Sequence, residues 1–394
     1  MCGTGNGLRR PNERKRVNVQ IGSLRTSQRD DRIDLLRGYA LIAIFVDHVP
    51  RSVFTLASPF SFAFSDAAEL FFFLSGFVAA RVYLPILRRH GIVIATVRIW
   101  RRAWTLYCTQ ILLFVALLGE VSLIVTMTGR SSYFDMFRVS HFFQETTSAI
   151  IPALSLHYQP AYLDILPVYV LLFAVLPLAL LALSRSVWFL LIPSFFLYGA
   201  IQLGVWSPRT YPWDAPWMFN PLAWQFLFFT GVASGSRPTG WALLKNKFVL
   251  VGAGLFVVSA AIFQESGAIH ILFPAIPSFH TFALPIGKSD LNWMRLANFA
   301  ALAIVAVRLL RVGSEWQRFA LWRYVSSCGR NSLPIFCLGV LLAAVGGATW
   351  VESGGSLFIQ AAFSAAGIGC LVGFARLLDW VRTLEQAPTR AVIS

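Results

Sequence analysis

The feature that most constrains this chain is its succession of about ten apolar stretches, most of them roughly 16 residues or longer. Runs of that kind have one common destination, the hydrocarbon core of a bilayer. Charge supports the same reading. Only 13% of residues are charged, against about a quarter in a soluble domain, and mean hydropathy is +0.65. The predicted fold is all-α, a polytopic membrane helix bundle of about ten transmembrane helices. Length in such a chain counts spans, not soluble domains.

The net charge of +15 would point a soluble protein toward nucleic acid. In a membrane protein it has a plainer origin, because cytoplasmic loops collect Lys and Arg. No zinc pattern, phosphate-binding loop or dinucleotide fingerprint is present, so nucleic acid and nucleotide chemistry are set aside. The five cysteines show no paired spacing and read as small apolar fillers, not as metal ligands. Residues 1–32 are polar and basic, from Arg9 and Arg10 to Arg29 and Arg32, and lack the apolar core of a signal peptide. They are expected to form a disordered cytoplasmic tail against anionic lipid.

The predicted spans are Asp34–Phe54, Asp66–Leu87, Ala103–Met127, Ala161–Leu183, Val187–Trp206, Pro221–Gly235, Phe248–Phe263, Leu291–Leu310, Asn331–Ala348 and Leu357–Leu378. They make one membrane domain over 33–380, followed by a cytoplasmic tail, 381–394. A basic connection is expected over 88–102, an amphipathic stretch at His141–Leu156 and a surface helix within 311–330. With the N-terminus inside, only Arg51, Arg130, Arg138, Arg209, Lys288 and Arg295 fall outside. That bias predicts N-in and C-in.

Within the first span, Arg37 and His48 are eleven helical steps apart, about 20° past three full turns. They share a face and are separated by about 16 Å along the axis. An ionisable group within a span is costly and is by default a functional hypothesis. The polar residues fall into two sets. Asp47, His48, Asp66, Glu69, Asp164, Asn220 and Gln225 lie toward the outer half; Arg37, Arg98, Arg101, Arg102 and Arg330 lie toward the inner face. The inner guanidiniums suit phosphate, or are simple positive-inside anchors. His48 suits a general base acting on a hydroxyl, or is a packed histidine bonded to a carbonyl. Asp47 points about 100° away from it, so Glu69 or Asp164 is the better candidate to fix its tautomer. Asp66, Glu69 and Asp164 also suit the start of a helix, where the dipole favours acids. Ser75 and Gly76, in the run Phe71–Phe77, are small enough to admit a neighbouring backbone.

These residues together resemble the membrane acyltransferase-3 superfamily. The resemblance rests on Arg37 and His48, on Leu74-Ser75-Gly76-Phe77 and on Arg98, Arg101 and Arg102. Its OpgC branch is resembled by Asp34-Leu35-Leu36-Arg37-Gly38, Ala68-Glu69-Leu70-Phe71, Tyr162-Leu163-Asp164-Ile165-Leu166-Pro167, Asn220-Pro221-Leu222-Ala223-Trp224-Gln225 and Asn331-Ser332-Leu333. The resemblance implies a multi-pass enzyme of the bacterial inner membrane. It would move an acyl group, succinyl or acetyl, from cytoplasmic acyl-CoA to a hydroxyl of an extracytoplasmic glycan such as an osmoregulated periplasmic glucan. Acyl-CoA would be a co-substrate, with no permanently bound cofactor or metal. His48 would be the base, with Glu69 and Asp164 beside it. Arg37, Arg98, Arg101 and Arg102 would hold the CoA end, and Asp66, Asn220, Trp224 and Gln225 the sugar. A glycan or lipid-linked sugar transporter or flippase is the main rival; it would usually show paired repeats with broken helices, and none is visible. A non-catalytic scaffold is the other. Neither the acyl group nor the positions of Lys288 and Arg81 follow from the sequence.

Overall fold

Proline and glycine decide where this chain's first helices stop. The computed structural model describes residues 3, 30–236, 246–272, 286–310 and 319–386. Helix α1 runs Asp31–His48, capped by Asp30, whose side chain accepts from the Arg32 amide. It does not continue to Phe54. A residue before proline is driven out of the helical region, and Val49, before Pro50, is extended at φ −85°, ψ 113°. A 3-10 turn at Val53–Ala57 and the short α2, Pro59–Phe62, follow.

The 62-residue helix α3, Ala67–Thr128, would measure about 93 Å if straight, some three times the hydrocarbon thickness. It is broken at Gly91, φ 79°, ψ 176°, a conformation that only glycine adopts readily. The break makes two arms, 67–90 and 92–128. The expected basic connection is therefore helical on both sides of Gly91, and Arg98, Arg101 and Arg102 open the second arm.

The segment after α3 folds into α4 (Ser132–Met136), α5 (Ser140–Gln144) and α6 (Thr146–Leu154). The chain continues through α7 (Ile165–Arg185), α8 (Val187–Gln202), α9 (Pro221–Gly235), α10 (Lys247–Leu272) and α11 (Trp293–Leu309). It ends with α12 (Ala320–Arg330), α13 (Ser332–Glu352) and α14 (Leu357–Gln386). The described residues are all-helical, without strands. Five helices, α3, α7, α10, α13 and α14, are long and apolar enough to cross a membrane. Helix α1 carries Asp31, Arg32, Asp34, Arg37 and Asp47, while α8 and α9 are short. The surface helix expected within 311–330 is α12; 311–318 lie outside the described residues, as do 237–245, His280 and the basic tail up to residue 29. Helix α14 runs past residue 380 to Gln386, so the described part of the C-terminal tail is helical.

Small residues bring the site-bearing helices together. A Cβ on Gly76 would collide with the backbone carbonyl of Phe228, and one on Gly231 with that of Phe73, so α3 and α9 cross backbone to backbone. Helices α1 and α12 do the same through Gly38 against Val325 and Gly329 against Asp34. Helix α9 is buried along most of its length. The second arm of α3 and α10 instead expose Leu112, Leu123, Phe248 and Leu255, as lipid-facing helices do.

Candidate active site

His48 is the last residue of α1, where the chain leaves the helix. Its Nδ1 lies 2.7 Å from the carbonyl oxygen of Ile44, one turn back. A carbonyl only accepts, so Nδ1 carries the proton and Nε2 is left with its lone pair. The group that fixes the tautomer is thus part of the helix itself. The Tyr162 ring meets the imidazole edge-on at 4.9 Å, and its hydroxyl donates to the His48 carbonyl at 3.5 Å. Phe137, fully buried, packs behind Tyr162. Asp164 precedes α7 without capping it through its side chain, and it is the charge that acts most strongly on His48. Asp47 turns away and accepts from the Ser58 hydroxyl at 2.7 Å.

Glu69 and Asp66 belong to a separate ionic cluster. They form a capping box at the start of α3, with the Asp66 amide donating to Glu69 at 2.8 Å. Arg295 on α11 lies 2.7 Å from Glu69 and 3.1 Å from Asp66. Lys288 lies 2.8 Å from Asp66. Glu69 is fully buried, and its known partners are Arg295 and its own helix start, not His48. Lys288 is one-third exposed at its side chain and acts electrostatically on both His48 and Asp164. Burial opposes its charge, but Asp66 beside it prevails and holds its pKa above the ordinary lysine value.

Asn220, Trp224 and Gln225 face inward. Asn220 caps α9 and donates to the Asp290 carboxylate at 3.0 Å. The Trp224 indole donates to the carbonyls of Lys288 and Ser289, each at 3.1 Å. Gln225 exchanges hydrogen bonds with Ser194. All three are buried. Through Asn220 and Trp224, α9 fixes the segment that presents Lys288.

Below this level a cavity of about 330 Å³ opens among α1, α3, α7 and α13. Arg37, Arg102, Ser75, Tyr83, Tyr169 and Ser332 give it polar groups on otherwise apolar walls. Arg37 donates to the Ser332 hydroxyl at 2.6 Å. Arg98 and Arg101 are exposed and stand off the wall. The upper wall includes Phe71 and Leu166, which follow Glu69 and Asp164 closely in the chain. The cavity therefore runs from Arg37 and Arg102 toward the first turn of α7, which Asp164 precedes. Arg81, unplaced by the sequence, lies over the Phe77 ring and is exposed.

A family model described as OpgC protein matches residues 29–383, nearly the whole chain. The chain belongs to the OpgC family. No curated protein and no solved structure matches it. OpgC membership, with the apolar helices, points to a membrane acyltransferase. It spans both halves of the site, from Arg37 and His48 to Ser332. Sequence reasoning gives no site role to the Ile44 carbonyl, Tyr162, Arg295 or Ser332 and does not place Lys288. For Arg295 a signal existed: a guanidinium at the start of an apolar helix needs a buried acid.

Proposed function

We propose that this protein transfers an acyl group, succinyl in preference to acetyl, from cytoplasmic acyl-CoA to a hydroxyl of an extracytoplasmic glycan such as a periplasmic glucan. In this reading the chain crosses the bacterial inner membrane about ten times, with both ends inside. One observation carries the proposal. A histidine with its tautomer set for Nε2 basicity stands about 16 Å along α1 from Arg37, one of two arginines that line a cavity. A phosphate anchor, a narrow channel and a base at its far end are the parts required to bring an extended thioester arm to a hydroxyl on the other side.

The steps follow from the geometry. Arg37 and Arg102 hold the phosphate end of the donor, with Arg98 and Arg101 drawing it to the mouth from outside the cavity. The pantetheine arm threads the cavity toward His48. Nε2 takes the proton of the sugar hydroxyl as its oxygen attacks the thioester carbonyl. Asp164 stabilises the imidazolium that forms. The tetrahedral intermediate collapses, the carbon–sulfur bond breaks, and the imidazolium returns its proton to the departing thiolate. Lys288 faces the same region and receives the free carboxylate of a succinyl group. Glu69, Asp66, Arg295, Asn220 and Trp224 position Lys288 and the helix starts around the base.

The test is thioester cleavage by purified protein in liposomes, with succinyl-CoA and acetyl-CoA compared in the presence of a glucan acceptor. Cleavage that falls about 10²–10⁴-fold in His48→Gln, the usual contribution of a general base, is the expected result. Folded wild type that neither binds nor cleaves either donor overturns the proposal and favours a transporter.

A further inference from the structure

A second cavity, of about 250 Å³, lies beside α12 and is lined by Asp31, Trp322, Arg323, Ser326, Arg330 and Arg376. No residue of it lines the cavity of Arg37. Three guanidiniums meet here, two from α12 and one from α14. Arg330 is held by Asp379 at 2.6 Å, and Arg376 lies over the Tyr324 ring at 5.5 Å. Two neutral donors complete the set. The indole Nε1 of Trp322 and the hydroxyl of Ser326 are buried and have no hydrogen-bond partner among the described residues. Ser326 as a whole is 3% exposed.

Buried donors without acceptors are rare in folded proteins, and each asks for an explanation. An indole N–H only donates, so its missing partner is an acceptor. The charges narrow the choice further. The three arginines, with Arg382 3.8 Å from Asp379, face three carboxylates, Asp31 in the wall, Asp379 behind Arg330 and Asp34, whose charge reaches Arg330, which leaves the cavity's surroundings positive. A ligand that satisfies several guanidinium forks together with an indole and a hydroxyl needs multiple acceptor oxygens pointing in different directions. A tetrahedral phosphate has them; a planar carboxylate has only two. The cavity is also held in shape, because the backbone contacts of Gly38 with Val325 and of Asp34 with Gly329 lock α12 onto α1 on either side of Ser326.

We propose that the cavity formed by Arg323, Arg330, Arg376, Trp322 and Ser326 is a phosphate-binding site distinct from the donor cavity. Two sources carry that group to an inner membrane face, a soluble nucleotide and an anionic phospholipid. Phe319, Leu321 and Tyr324, exposed on or beside α12, put the site within reach of headgroups. The inference does not depend on acyl transfer.

The test uses the full-length protein. Binding of adenosine 3′,5′-bisphosphate is measured by calorimetry in a neutral detergent, and retention of phosphatidylglycerol over phosphatidylcholine by native mass spectrometry. Wild type is compared with the double variant Arg323→Gln, Arg376→Gln and, separately, with Ser326→Ala, which removes a donor with little risk to the fold. Wild type is expected to bind at least one probe, and the double variant to weaken that binding by about tenfold or more, as loss of charge-assisted hydrogen bonds does. Ser326→Ala should weaken it in the same direction. A loss confined to the nucleotide identifies a soluble phosphate, and a loss confined to phosphatidylglycerol identifies a headgroup. Wild type that binds neither probe, or variants that bind like wild type, overturn the proposal. Thioester cleavage is recorded on the same samples, and its absence bears on acyl transfer alone.

Discussion

Arg295→Met is the most informative perturbation of the outer cluster. The guanidinium lies 2.7 Å from Glu69, which is fully buried, and 3.1 Å from Asp66. Asp66 keeps Lys288 at 2.8 Å when Arg295 is removed; among the described residues, Glu69 then keeps one hydrogen bond, from the Asp66 amide. Breaking a buried ion pair from one side costs about 3–5 kcal/mol, mostly because the remaining charge stays in a low dielectric. Replacing both partners with neutral groups is often close to neutral. Arg295→Met alone should therefore lose about 3–5 kcal/mol. Adding Glu69→Gln removes the stranded charge and keeps an oxygen for the Asp66 amide, so the double variant should recover most of that loss. The assay is thermal unfolding in detergent, followed by tryptophan fluorescence, with thioester cleavage read on the same preparations. A double variant no more stable than the single one refutes the assignment of Glu69 to Arg295.

Three further outcomes are expected. Arg102→Met should raise the KM for acyl-CoA by about tenfold or more through loss of a charge-assisted contact, with kcat little changed, as measured by steady-state cleavage kinetics. Lys288→Met should abolish the preference for succinyl over acetyl, again by about tenfold or more, in a competition between the two donors. Asp30→Asn should destabilise the start of α1 by a few tenths of a kcal/mol at neutral pH, since Asn still caps and the lost ion pair with Arg32 is partly exposed. The Arg32 hydrogen bond and charge hold the Asp30 carboxyl below its ordinary value. Its stabilisation is therefore complete above the ordinary carboxylate range and is lost as pH falls through the lowered value. The unfolding midpoints of wild type and variant should differ at pH 7 and converge in strong acid.

Much of the fold was legible because the chain punctuates itself. Helix α9 has the predicted bounds, Pro221–Gly235, since Asn220 caps it and Pro221 fills its first position. The close approach expected at Gly76 is the α3–α9 crossing. The errors have equally local causes. The span expected to reach Phe54 stops at His48, because Pro50, with Arg51 and Ser52 after it, ends the helix. Residues 88–102 read as a connection because they are basic, although Arg, Ile and Trp also build helices and only Gly91 breaks this one. The site was half legible. Arg37 and His48 both lie on α1, so their spacing is a property of one helix and can be read from sequence. The pairing of Glu69 with Arg295 spans 226 residues, and no pattern in one sequence encodes it. Asn220, Trp224 and Gln225 are buried at the start of α9, and sequence does not say which way a side chain turns.

The end of α1 at His48 ties these observations together. The last carbonyls of a helix lack donors within it, and at this terminus they are met from elsewhere. Val49 donates to Phe45, Thr55 reaches Val46 at 3.4 Å and Tyr162 reaches His48 at 3.5 Å. The residues that satisfy the broken helix come from the turn after Pro50 and from the segment leading into α7, which also carries Asp164. An uninterrupted span would have buried the imidazole along a helix flank, with its surroundings set by lipid and neighbouring side chains. Stopping the helix at His48 instead sets the ring where Ile44 meets one nitrogen, Tyr162 packs edge-on and the charge of Asp164 reaches it. Non-helical backbone at such a place is tolerated where protein covers it or a cavity receives it, and here α4, through Phe137, covers it behind Tyr162. The proline that disrupts the first span is thus the residue that makes a built site of its last histidine.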